Sequence, residues 1–210
     1  MSGLRTGKEM MESVVTEQSA KRIDKEAINE LPLAKWEGPV RVVRTPEEVE
    51  AAVACLLQSD LLGFDTETRP AFRKGQKFAP SLLQLASAEE VFLFQLHRTG
   101  LPAPLREILG SANIVKAGVA IAFDLKSLQE LQPFEAAGFA DLAHLARHQG
   151  IRNHGLRGLA AMVCGIRISK TARTTNWANP DLTPQQIQYA ATDAWIGREI
   201  YLRLQSPMHS

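Results

Sequence analysis

Asp65 and Glu67 in LLGFDTET, Asp124 in GVAIAFDLKSL, and Tyr189 and Asp193 in YAATDAW stand where the surrounding pattern calls for apolar side chains. A carboxylate held inside a core needs an opposite charge, because an unpaired buried anion costs several kcal/mol or takes up a proton. No matching set of lysines accompanies these acids in the sequence. Divalent cations are then the economical counter-charge, and the chemistry they suggest is metal-assisted phosphoryl transfer.

Spacing sharpens this reading. Asp65 and Glu67 are two apart at the end of an apolar run, so in a strand both leave one face. The end of such a strand is where an α/β sheet opens to its ligand, although an ordinary surface strand end would look the same. Ile121, Leu125, Leu128 and Leu131 form an apolar helical stripe with Asp124 on its seam. An acid in a first turn, complementing the helix dipole, is the alternative there. Tyr189, Asp193, Ile196, Ile200 and Leu204 make one continuous inward face, with the first two neighbours at ~5–6 Å between Cβ atoms. A buried tyrosine satisfied by an aspartate would account for that pair alone. It would not account for Asp65, Glu67 and Asp124 making the same inward choice.

The elements that must position these side chains follow from pattern and punctuation. Val40–Arg44 reads as a short strand. Thr45-Pro46-Glu47-Glu48 is a helix start with a capping threonine, a proline in the first turn and an acid at the third position. Leu61–Glu67 is a strand apolar on both sides in its early part, as expected at the centre of a sheet. Beyond a basic loop, SLLQLAS and EVFLFQL are two β-type runs joined by a short polar turn, which predicts antiparallel pairing. LREIL reads as helix, NIVKAG as strand and IAFDLKSLQEL as helix. The remainder, DLAHLARHQ, LRGLAAMVCG and a final helix from about Pro184 to Leu204 capped by Thr183, reads as helical. A three-stranded meander followed by alternating strands and helices predicts an α/β fold with a mixed sheet of five or six strands.

The 210 residues are 45% apolar and 22% charged, which fits one globular domain over 39–206 preceded by a partly flexible extension over 1–38. No apolar run reaches the ~18–20 residues needed to cross a bilayer, and the N-terminus lacks a secretory pattern. Cys55 and Cys164 lie in apolar helical contexts with no CxxC spacing and read as core thiols in a reducing compartment, so a cytoplasmic setting without a membrane partner is expected. The net charge is +1, but it is segregated. Leu142 to Pro180 and Thr68 to Ala88 contain cations and no acid, while the first fifty residues hold ten of the 23 acids. Such a distribution suits a face for a polyanion as well as it suits solvated helix surfaces.

FDTE, the Asp124 segment after KAGV, and YxxxD resemble the three motifs of the DEDD exonuclease superfamily in its tyrosine-bearing branch. LLQLAS, IVKAGVAIAFDLKSL and KTARTTNWANPDLTPQQIQYAATDAW are similar to stretches of Werner-type and ribonuclease D nuclease domains. The likeness runs from about Val40 to Leu204 in family order. It implies a ribonuclease-H-like fold and removal of nucleoside 5′-monophosphates from the 3′ end of DNA or RNA, single-stranded or recessed. By this resemblance Asp65, Glu67, Asp124 and Asp193 bind metal and Tyr189 positions the attacking water. Four carboxylates balance two divalent cations ~3.5–4 Å apart, a pair that can activate water and stabilise the leaving oxygen. An all-oxygen set suits Mg²⁺ or Mn²⁺ rather than Zn²⁺. With an ordinary pKa of ~10, Tyr189 is better placed to orient water than to deprotonate it. Ribonuclease D carries helical substrate-binding domains after its nuclease domain, and Werner protein a helicase. Neither accompanies the motifs in these 210 residues, so the targeting those parts give is expected to come from a partner or to be missing.

Further residues are candidates for the substrate. Lys170, Arg173, Asn176 and Trp177 precede the last helix and could hold phosphates, with Trp177 either stacking on a base or packing beneath the loop. Lys74 and Lys77 follow the first acidic pair, in a loop that could equally be solvated. Thr66 and Thr68 flank the acids and could meet the terminal nucleotide, or Thr66 could pack on the opposite face. His144 and His148 lack a third ligand and define no site. Two other functions compete. A binding scaffold without turnover is disfavoured by the presence of all five motif residues. An aspartate-nucleophile phosphatase is disfavoured by Glu67 where that chemistry places an aspartate.

Overall fold

Apolar alternation along Leu61–Thr68 (β2) sends Leu62 and Phe64 to one side of the sheet and Gly63, Asp65 and Glu67 to the other. The computed structural model describes residues 22–71, 73 and 75–206. Six strands form one mixed sheet in the order β1-β4-β3-β2-β5-β6. Besides β2 they are Val40–Val43 (β1), Pro80–Ala86 (β3), Val91–Gln95 (β4), Val115–Gly118 (β5) and Phe139–Asp141 (β6). β2, β3 and β4 are the expected antiparallel meander, whereas β1 joins β4, and β5 and β6 continue from β2, in parallel.

Helices cover both faces. Pro46–Leu56 (α2), Ala103–Gly110 (α4) and Ala122–Leu131 (α5) close one side over Leu62, Phe64, Leu83, Leu85, Phe92 and Phe94. The other side is covered by the long helix Pro184–Gln205, with Trp177 and Leu182 tucked beneath its approach. Between these come short helices at Lys25–Glu30 (α1), Leu96–Thr99 (α3), Leu142–His148 (α6) and Leu156–Leu159 (α7), the last running into a π-helical turn, Ala160–Cys164. The long helix is α8. No helix among the described residues is long and apolar enough to cross a membrane.

Both proline-marked helix starts have the local chemistry that the sequence predicts. The Thr45 hydroxyl accepts from the Glu48 amide at 3.3 Å, and Glu48 accepts from the Thr45 amide at 3.1 Å. Thr183 and Gln186 repeat this reciprocal pairing at 3.2 and 3.0 Å. Each box satisfies backbone donors that a helix terminus otherwise leaves open. Two expectations need correction. The helix expected from Asp141 begins at Leu142, because Asp141 ends the short strand Phe139–Asp141 and caps the helix, and Leu131 is exposed, so the α5 stripe ends at Leu128.

The chain before the sheet is not a free arm over its described part. The Asn153 side chain donates to the Ile23 carbonyl and accepts from the Ile23 amide, both at 3.1 Å. Leu33 bridges Arg167, and the Trp36 amide donates to Thr192 Oγ1 on α8 at 3.1 Å. Residues 1–21 of the expected flexible extension lie outside the described residues.

Candidate active site

Gly63 determines how near α8 can come to β2. A Cβ on Gly63 would lie 1.9 Å from the Ala194 carbonyl oxygen, so only glycine lets the helix backbone seat directly on the strand. Asp193 and Tyr189, one turn apart on α8, are thereby brought over the same strand face as Asp65 and Glu67. One oxygen from each of Asp65, Glu67 and Asp193 lies within 4.8 Å of the others. With Tyr189, Arg173, Val119 and Leu156 they line a pocket of about 330 Å³.

The electrostatics of this pocket are those of a site short of positive charge. Burial, and then the charges of Asp193 and Asp124, hold Asp65 well above the usual carboxylate range. Burial, then Asp65, Asp193 and Asp124, push Glu67 up to about 9, with Arg173 pulling the other way. Burial raises Asp193 to about 7 against a hydrogen bond from Tyr189. Asp193 is 7% exposed, and its Oδ1 is buried with no hydrogen-bond partner. Crowded, desolvated carboxylates with an orphan oxygen fit a divalent cation bound through oxygen ligands. Tyr189 is itself raised, first by burial and then by Asp193 and Glu67, so its hydroxyl stays a donor.

Asp124 reaches the site from the opposite layer. Ala120 adopts φ +57°, a left-handed conformation that turns the chain from β5 into α5 and delivers Asp124 in the first turn. Thr66, pointing away from Asp65 and Glu67, donates its hydroxyl to Asp124 Oδ1 at 2.6 Å. Asp124 thus stands beside the three-carboxylate group without being part of it, and burial raises its carboxyl. Thr66 also lines the acidic pocket, with its hydroxyl engaged by this acid.

The remaining candidates divide. Arg173 lines the acidic pocket, and Lys170 joins it along a larger adjoining cavity. Thr68 and Lys77 line a separate cavity of about 460 Å³ with Arg69, Phe123 and Lys126. Lys74 lies outside the described residues. Asn176 is exposed, but its side chain folds back to Asn179 at 2.8 Å and to the Ala178 amide at 3.2 Å. Trp177 is wholly buried with its ring 5.9 Å from that of Tyr189, so packing, not base stacking, is its position. The histidine pair is a mutual contact at 3.0 Å on an exposed helix face. Two contributors escaped the sequence reading. Gly63 carried a usable signal, a glycine inside an apolar strand, whereas the Thr66–Asp124 bond has none because it depends on how α5 meets β2.

A mixed sheet clad by helices, with acids converging from a central strand and from helices on both faces, defines a nuclease-like α/β domain. The 3′–5′ exonuclease family matches residues 40–209, and the chain belongs to that family. It is 32% identical over 155 residues to the mouse bifunctional 3′–5′ exonuclease/ATP-dependent helicase WRN, covering 71% of this chain and 11% of that protein. The Nibbler EXO domain of Aedes aegypti superposes with a TM-score of 0.74 at 23% identity, over 82% of this chain and 91% of that one. Ribonuclease D of Escherichia coli superposes at 0.71 and 23% identity, over 79% and 44%. These two share the ribonuclease-H-like fold with this chain. The chain spans between about a tenth and a half of the length of the curated relatives it matches.

Proposed function

We propose that this chain is a 3′–5′ exonuclease of the tyrosine-bearing DEDD type, releasing nucleoside 5′-monophosphates from DNA or RNA, at single-stranded or recessed 3′ ends. The observation that carries the reading is the convergence of Asp65, Glu67 and Asp193 to within 4.8 Å in a pocket that also holds Tyr189. Those three carboxylates, with Asp124 alongside, would hold two divalent cations, Mg²⁺ or Mn²⁺. Such ions supply activation of water and neutralisation of charge at phosphorus.

The protein's own groups divide the remaining work. Tyr189, kept protonated by burial and by its acidic neighbours, can orient the attacking water through its hydroxyl. Arg173 brings a positive charge to the mouth of the pocket, where a scissile phosphate would sit, and Lys170 extends it along the adjoining wall. Thr66 orients Asp124 by donating to its Oδ1. Trp177 supports Tyr189 from beneath. Cys55 and Cys164 are free thiols, in keeping with a cytoplasmic setting, but neither is a core residue: Cys55 is exposed on α2 and Cys164 is half-buried.

The deciding measurement follows a labelled oligonucleotide, DNA and RNA in parallel, with Mg²⁺ or Mn²⁺. Stepwise shortening from the 3′ end with release of monophosphates is expected, together with its loss in Asp65→Asn. Tight oligonucleotide binding without hydrolysis under either cation would instead establish a binding module that has kept the fold.

A further inference from the structure

Residues 22–38 precede the family match, which begins at residue 40, yet the first of them, Arg22 to Glu26 and Ile28, line a cavity beside the acids. That cavity, about 660 Å³, shares Leu156, Arg173, Tyr189 and Asp193 with the acidic pocket. Its size lies within the ~300–1,000 Å³ typical of ligand sites. We propose that the segment Arg22–Ile28 is a substrate-positioning wall that holds the sugar–phosphate backbone of the strand adjoining the scissile bond. The inference rests on the exonuclease reading and adds to it a determinant outside the matched domain.

Three observations carry it. The wall is fixed in place: Asn153 grips the Ile23 backbone from both sides, and Arg157 donates to Asn29 Oδ1. Its charge faces a like charge. Arg22 and Lys25 stand on one side of the cavity, with Arg157, Lys170 and Arg173 on the other. Outside the catalytic group the lining holds two acids, Asp24, which also accepts from the Ala27 amide, and Glu26, against these five cations. Cations in excess of acids around one space repel one another, and a polyanion relieves that repulsion. Finally, the Arg157 Nε–H is buried without a partner, a donor still to be satisfied.

A strand whose 3′-terminal phosphodiester meets Asp65, Glu67 and Asp193 would lay its next one or two phosphates between these walls. A small phosphodiester would feel the wall less. The experiment compares the full chain with Arg22→Ala/Lys25→Ala, two exposed side chains, on a short oligothymidylate and on the p-nitrophenyl ester of thymidine 5′-monophosphate. The expected result is a rise of about tenfold in KM for the oligonucleotide, larger than for the ester, with kcat less affected. Binding of the labelled oligothymidylate without divalent cation should lose about 1.4 from its log–log salt slope, at ~0.7 per phosphate contact on a single strand. Equal shifts for both substrates, or an unaltered salt slope, would overturn the wall. A parent chain that binds with the expected slope but cleaves neither substrate would leave the wall standing and remove the exonuclease reading. Cleavage of both by the variant with parental KM values would do the reverse.

Discussion

A phenol half-buried beside three carboxylates cannot ionise near neutrality, and Tyr189 is in that position, with Asp193 and Glu67 as its acidic neighbours. Its role is therefore geometric. Tyr189→Phe should lower turnover by about a hundredfold, the scale of losing one donor acting on the reaction centre, while Mn²⁺ affinity changes little. Calorimetric titration with Mn²⁺ checks this, and a loss of affinity as large as the loss of rate would refute it. At this scale the sequence is informative where a period is at work. Asp65 and Glu67 share a strand face, and Tyr189 and Asp193 a helix face, because two and four are the repeats of those elements. It is silent where two elements meet. That Thr66 binds Asp124, and that Asn176 closes its own turn, depend on crossings and loop geometry that local spacing does not encode.

The site is held together by the fit of α8 to β2. Ala194 lies on Gly63, and Gly197 lies on β5, where its Cβ would come 3.0 Å from the Ala117 carbonyl. The obstacle at Gly63 is backbone, so no rotamer change relieves it. Gly63→Ala should cost about 1–3 kcal/mol, as overpacking does, and should depress activity by lifting Asp193 from Asp65. Urea unfolding and an activity assay measure both, and a variant as stable and active as the parent would mean that α8 is not seated on this strand. Helix starts were legible because Thr45 and Thr183 carry their full capping boxes in sequence. β6 was not: three half-buried residues, Phe139–Asp141, offer no alternation and gain their identity only from pairing with β5. The same holds for the π-helical turn, whose wider winding has no sequence period to betray it.

For the molecule as a whole, the acids impose a pH signature on stability. Groups raised above their unfolded values bind protons more tightly when folded, so their contribution is present at low pH and lost as pH rises. The windows run from the ordinary carboxylate range to about 7 for Asp193 and to about 9 for Glu67. Metal-free protein should thus melt at progressively lower temperature from about pH 5 to about pH 8. Added Mg²⁺ or Mn²⁺ should reverse most of that decline by replacing the lost protons. Thermal scans in chelator and in excess cation test this; a flat profile in chelator would mean that the carboxylates are solvated. The sheet order and the docking of residues 22–38 became visible only at this scale. Both depend on long-range pairing, as between Asn153 and Ile23, that leaves no local trace.

All three tryptophans of the chain gather against α8. Trp177 is sealed beneath Tyr189, while Trp36 of the leading segment sits 6.1 Å from Trp195, ring centre to ring centre. The unlabelled protein thereby carries its own optical gauge. Detachment of the leading segment would wet Trp36 and shift emission to the red, whereas a change confined to the acidic centre would register through Trp177, giving two events two spectral origins.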